Sequence, residues 1–138
     1  MTAALSNPFD GAPIISSYSR AQAIEDGMLV DAQQGDLAEV SRQHVGSTSV
    51  AMTAGVFALI EKAVKHPRQM NDWRGVWHDV LWMSQVARRV SAQRGGSPVG
   101  FKVIITGTGR VRNHVLFASY GPGDAGEPVV TIMLAEDL

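Results

Sequence analysis

The chain has 138 residues, no cysteine and a formal charge of −1. That size suits one domain with a core of its own, and the near-neutral charge removes any global pull toward nucleic acid or anionic membrane. The missing thiols exclude disulfide frameworks, thiolate catalysis, zinc ribbons and iron–sulfur clusters.

Hydrophobic residues make up 45% of the chain, which argues against general disorder. The opening MTAALSNPFDGAP lacks a basic region followed by an apolar run, so no signal peptide is expected. The longest mainly apolar stretch, Val50–Ile60, is too short to span a bilayer. The expectation is a soluble cytoplasmic protein with no membrane partner.

Asn7-Pro8, Asp10-Gly11 and Pro13 are turn signals, and they predict a flexible arm over residues 1–13 ahead of a single domain over 14–138. Ile14 and Ile15 are placed to anchor the end of that arm. Ser19 and Gln22 have capping-box spacing, so a short helix is expected to start there and stop at Asp26-Gly27. Met28-Leu29-Val30 reads as a brief extended segment. A second helix is predicted over Leu37–His44, with Leu37 and Val40 inward. Gly46-Ser47-Thr48-Ser49 breaks it, and a third helical stretch runs from about Val50 to Val64. Gly55 weakens its start and leaves Thr53 as the better cap. Glu61 and Lys65 are oriented for an i, i+4 pair, and His66-Pro67 ends the helix.

The strongest pattern is a central helix from Trp73 to Val90 that holds all three tryptophans. Trp73, Val76, Trp77, Val80, Leu81, Ala87 and Val90 follow the rhythm of one helical face, with Ser84 the one break. Trp82, Met83 and Val86 widen the apolar arc. Asn71 and Asp72 supply cap chemistry, Arg88, Arg89 and Arg94 complement the C-terminal dipole, and Gly95-Gly96 and Pro98 stop the helix. An arc so broad implies packing on two sides, or packing on one and contact on the other. Trp73, Trp77, Trp82 and Met83 are therefore the candidate protein-binding residues.

Beyond Pro98 the period falls to 2. Val99–Thr106, Val111–Tyr120 and Pro128–Leu134 read as strands joined by the glycine-rich loops Gly107–Arg110 and Gly121–Glu127. Pro128–Leu134 is apolar on both faces, which suggests a central position. The predicted fold is α+β: N-terminal helices, a long Trp-rich central helix, then a three-stranded antiparallel β-meander packed on it.

Chemistry-bearing motifs are sparse. His44, His66, His78 and His114 show no metal-ligand spacing, and His78 and Asp79, adjacent on a helix, point about 100° apart. There is no GxSxG nucleophile turn and no phosphate loop. Asp124 and Glu127 are candidates for a hard cation, but no metal site and no cofactor is expected. His114 with Asp79, Asp124 or Glu127 would be an acid/base set if they converged; no catalytic residue is assigned. Arg88, Arg89, Arg94, Lys102, Arg110 and Arg112 would form a basic patch for nucleic acid if the helix end met the first hairpin.

Two stretches carry a resemblance. YSRAQAIEDGMLVD (Tyr18–Asp31) and GPGDAGEPVVTIML (Gly121–Leu134) resemble the N- and C-terminal signatures of a family of small uncharacterised bacterial, plasmid and phage proteins. A tryptophan helix like the one containing Val80-Leu81-Trp82-Met83 stands between them in that family. The resemblance implies a mobile-element or accessory context and transfers no catalytic residue. The leading expectation is a non-catalytic protein–protein interaction module, modulating a host process such as defence, whose partner is another protein or a second copy in a homo-oligomer. A nucleic-acid-binding protein and a small acid/base enzyme are the alternatives.

Overall fold

Ser19 opens the first helix through a reciprocal cap. Its hydroxyl accepts the Gln22 amide at 3.0 Å, and the Gln22 side chain accepts the Ser19 amide at 3.0 Å. The computed structural model describes residues 19–91 and 98–138. The expected arm over residues 1–13, the anchors Ile14 and Ile15, Arg94 and the Gly95-Gly96 stop lie outside the described residues.

The elements in chain order are α1 (Arg20–Glu25), β1 (Leu29–Asp31), α2 (Leu37–Val45), β2 (Ser49–Thr53), α3 (Ala54–Lys65), α4 (Trp73–Ser91), β3 (Val99–Ile104), β4 (Asn113–Pro122) and β5 (Pro128–Leu134). A 3₁₀ turn at Ala135–Asp137 follows. Thr53 caps α3, accepting the Val56 amide at 3.4 Å and donating to Asp137 at 2.7 Å. That bond ties the chain's last turn to the start of α3. Asp72 caps α4 by accepting the Gly75 amide at 2.7 Å. Nineteen residues give α4 a length of about 28 Å.

The fold is α+β, but the expected three-stranded antiparallel meander is corrected to a five-stranded mixed sheet ordered β1-β2-β5-β4-β3. β2 runs parallel to β5, with Val50 opposite Val130 and Met52 opposite Ile132. The remaining neighbours are antiparallel. The meander exists as β3-β4-β5, and β5 is central because two N-terminal strands continue the sheet beyond it. The extra strands are hard to see because β1 has three residues and because Val50, Ala51 and Met52 are all buried. Strand and helix look alike in a short, uniformly apolar run.

The sheet divides its side chains by parity. Val50, Met52, Phe101, Val103, Leu116, Ala118, Val130 and Ile132 face Val56, Ile60, Trp77, Val80 and Leu81 in one core under α2, α3 and α4. α1 lies on the opposite face over β2 and β5, where Ala51 and Val129 are buried. The β3–β4 half of that opposite face bears Lys102, Ile104 and Val115, which no described helix covers. Among the described residues no helix is long and apolar enough to cross a membrane.

Candidate functional site

The α4 face divides between core and surface as the 3.6-residue repeat carries it round. Trp77 is fully buried; its Nε1 donates to Ser41 Oγ at 2.9 Å, and that hydroxyl donates to the Ala32 carbonyl at 2.7 Å. Trp73 is half-buried, stacked on Phe57 at 5.0 Å between ring centroids, with its Nε1 3.4 Å from Glu61. Trp82 is 50% exposed. Met83 beside it is half-buried. Of the four residues singled out on this helix, Trp82 and Met83 line a common surface groove.

That surface is a groove of about 390 Å³ between α4 and β3, lined by Asp79, Trp82, Met83, Lys102, Val103, Ile104 and Asn113. Ile104 is 64% exposed. Its walls are mainly apolar side chains from helix and strand, edged by the Asp79 carboxylate and the Lys102 ammonium group. Trp82 and Met83 were legible from the helical arc. Lys102 and Ile104 were legible as alternate strand residues, and only the fold shows that they border the same groove as the helix residues.

A second feature joins α2 to α4. His44 Nε2 and His78 Nδ1 lie 2.8 Å apart, and the Trp82 ring stacks on His78 at 6.4 Å with planes 17° apart. Burial lowers the His44 pKa from its ordinary value, and the neighbouring His78 lowers it further. Gln85 donates to the His44 carbonyl, and Arg74 pairs with Glu39 at 2.5 Å. Sequence spacing concealed the histidine pair, since it arises from two helices packing side by side. Among the described residues no group of three or more His, Asp or Glu side chains is placed to hold a metal ion.

The two stretches that carry the resemblance interlock. Arg20 donates to Thr131 Oγ1 at 2.6 Å and to the Val130 carbonyl at 3.0 Å. The Asp124 carboxylate accepts the backbone amides of Arg20 and Ala21 at 2.8 and 3.0 Å. Burial pushes the Arg20 pKa below its ordinary value, opposed by Asp124, Asp31 and Glu127. The two backbone bonds hold the Asp124 carboxyl below the usual range. Glu127 accepts the Ala125 amide at 2.9 Å. Both carboxylates proposed for a hard cation are thus engaged in shaping the β4–β5 turn and docking α1.

The acid/base residues do not converge. His114 Nε2 lies 2.9 Å from Thr108 Oγ1 at the β3–β4 end, Asp79 lines the groove, and Asp124 and Glu127 sit beyond the far end of β4. The basic residues divide as well. Arg88 stacks over the Tyr120 ring at 4.3 Å, with Arg89 beside it on the same helix end. Arg110 and Arg112 are exposed in the loop at the opposite end of β3. Asn71 at the start of α4 donates to the Thr106 carbonyl at 2.9 Å, so the hairpin loop meets the helix N-terminus and not its arginines.

Over residues 5–138 the chain matches a family of unknown function, DUF6573, and it belongs to that family. No curated protein matches it, and no solved structure does.

Proposed function

We propose that this member of the DUF6573 family is a non-catalytic protein-binding module whose contact surface is the groove between α4 and β3. The observation that carries the reading is the half-exposed Trp82 beside Met83 and the exposed Ile104. A monomer rarely leaves an aromatic and a β-branched side chain together at the mouth of an apolar groove without a use for them. Tryptophan is also the residue most often found to anchor a protein interface. A cytoplasmic setting, a bacterial, plasmid or phage origin and an accessory role on a mobile element belong to the same proposal, and rest on the resemblance of the two end stretches.

The test is affinity capture from host lysate, with and without nuclease, using the wild-type chain and an Ile104→Glu variant. Ile104 is exposed, so a carboxylate there alters the groove and not the core. One stoichiometric protein that survives nuclease and is lost with Ile104→Glu supports the module. Capture that ignores the substitution, or vanishes with nuclease, overturns it. Light scattering on the purified chain identifies the case in which the captured partner is a second copy.

A further inference from the structure

We infer that the groove takes its partner as an added β-strand, an extended peptide that pairs with the outer edge of β3 and sets a carboxylate against Lys102. The inference rests on the groove being the contact surface and specifies what enters it.

Among the described residues β3 is the last strand of the sheet. Its pairing with β4 fixes which of its backbone groups are used. The Ile105 amide donates to the Arg112 carbonyl at 2.9 Å, just beyond the last registered pair, Ile104 with Asn113. Backbone groups alternate in direction along a strand, so Val103, Phe101 and Val99 also turn theirs toward β4. Gly100, Lys102 and Ile104 therefore direct their N–H and C=O groups outward. None of these outward groups has a hydrogen-bond partner among the described residues. The apolar groove runs along this same edge, since it is lined by Lys102 and Ile104 from the strand and by Trp82 and Met83 from the helix above it.

An edge unpaired among the described residues, beside an apolar groove, has the form of a strand-addition site, where main-chain bonds give affinity and alternate side chains give specificity. A peptide residue opposite Lys102 shares its side of the sheet. The residues on either side of that one point the other way, onto Trp82 and Met83. The peptide therefore needs an acidic residue flanked by apolar ones, with a further apolar residue opposite Ile104. A second copy fits poorly. Antiparallel pairing of two β3 edges at greatest overlap sets Lys102 directly opposite Lys102, and like charges in that position destabilise a sheet. The same lysine guards the edge against indiscriminate pairing and selects a carboxylate.

The test uses the full chain and fluorescein-labelled synthetic heptapeptides of alternating valine and leucine with a central glutamate, capped by serine and glycine. A matched peptide has lysine at the centre. Anisotropy should show the glutamate peptide binding and the lysine peptide binding roughly tenfold more weakly, as a like pair replaces an opposite one. Lys102→Glu should invert the order. N-methylation of the central residue, whose amide faces β3, should abolish binding, whereas N-methylation of its immediate neighbours should leave it. The amides of Gly100, Lys102 and Ile104 should gain protection from exchange.

Binding that is indifferent to N-methylation, or whose charge preference survives Lys102→Glu, overturns strand addition. So does the absence of binding by either peptide. If Ile104→Glu still removes a captured protein in those cases, the groove stands and only the strand is lost. If Ile104→Glu has no effect there either, both readings fail.

Discussion

His44 Nε2 and His78 Nδ1 face each other at 2.8 Å across the α2–α4 contact, a distance that holds a single proton between them. With one ring donating and the other accepting, the pair is stable neutral. Hydrogens on both of these nitrogens would set two N–H groups against each other. Arg88 and Arg89 line the same surface depression as His44.

The sign follows from the lowered His44 pKa. The folded chain binds fewer protons at His44 than the unfolded chain, whose value is about 6.5. The contribution is complete above that value and is lost as pH falls through the lowered folded one. Urea unfolding from about pH 8 to about pH 5 should show stability declining with acid. His78→Gln should flatten part of that decline by removing the like-charge neighbour, while burial keeps the rest. An identical pH slope in the variant would show that the pair is not coupled to folding.

Trp77 and Ser41 hold the same two helices together from inside. Both are buried, and the Ser41 hydroxyl receives the indole N–H while donating to the Ala32 carbonyl. Ser41→Ala strands a buried donor and a buried acceptor, each costing about 1–3 kcal/mol when left unpaired. Partial relaxation places the expected loss at about 2–3 kcal/mol, measured as a shift in denaturant midpoint at unchanged slope. A loss below about 0.5 kcal/mol would mean that water replaces the hydroxyl.

These contacts show where local sequence informs and where it stops. α4 was legible because Trp73, Val76, Trp77, Val80 and Leu81 repeat at helical spacing behind an Asp72 cap. The alternation of Phe101 and Val103 with Lys102 and Ile104 likewise marked β3. β2 was not legible, since Val50, Ala51 and Met52 are buried on both faces and Thr53 then caps a true helix. Its parallel pairing with β5 joins segments far apart in the chain, and no local pattern encodes that. Trp82 and Met83 were visible as part of a wide apolar arc. The tertiary packing alone decides that Trp77 is core while Trp82 is surface.

Gly107 is fixed by two constraints at once. Its φ is +88°, and a Cβ there would lie 3.0 Å from the His66 Cβ and 3.2 Å from the Ala63 carbonyl oxygen. Gly107→Ala combines a left-handed residue with a backbone clash, and should cost about 2 kcal/mol or more. Gly109, at φ +124° with open space around its Cβ position, serves as the control for backbone strain alone. Thermal unfolding should rank Gly107→Ala below Gly109→Ala. Equal melting temperatures would remove the packing part of the argument.

Arg20 and Asp124 make a reciprocal lock whose failure should be local. Arg20 reaches Thr131 and the Val130 carbonyl from α1, and Asp124 reaches back to the first amides of that helix. Arg20→Lys keeps the charge but cannot span two acceptors with one planar group, so the conservative exchange should still weaken docking, by about 1–2 kcal/mol. Asp124→Asn keeps an acceptor and loses the charge that favours it. The lowered Asp124 pKa means that its contribution is present above the ordinary carboxylate value and fades as pH falls through the folded one. Hydrogen exchange should register both variants first at the Met28 amide, which bonds the Ala23 carbonyl, and at Ala54, which bonds Met28. Amides in the β3–β4 ladder should keep their protection, because no bond of the lock reaches those strands. Uniform loss of protection across the whole sheet would instead show that α1 is part of the cooperative core rather than a latch upon it.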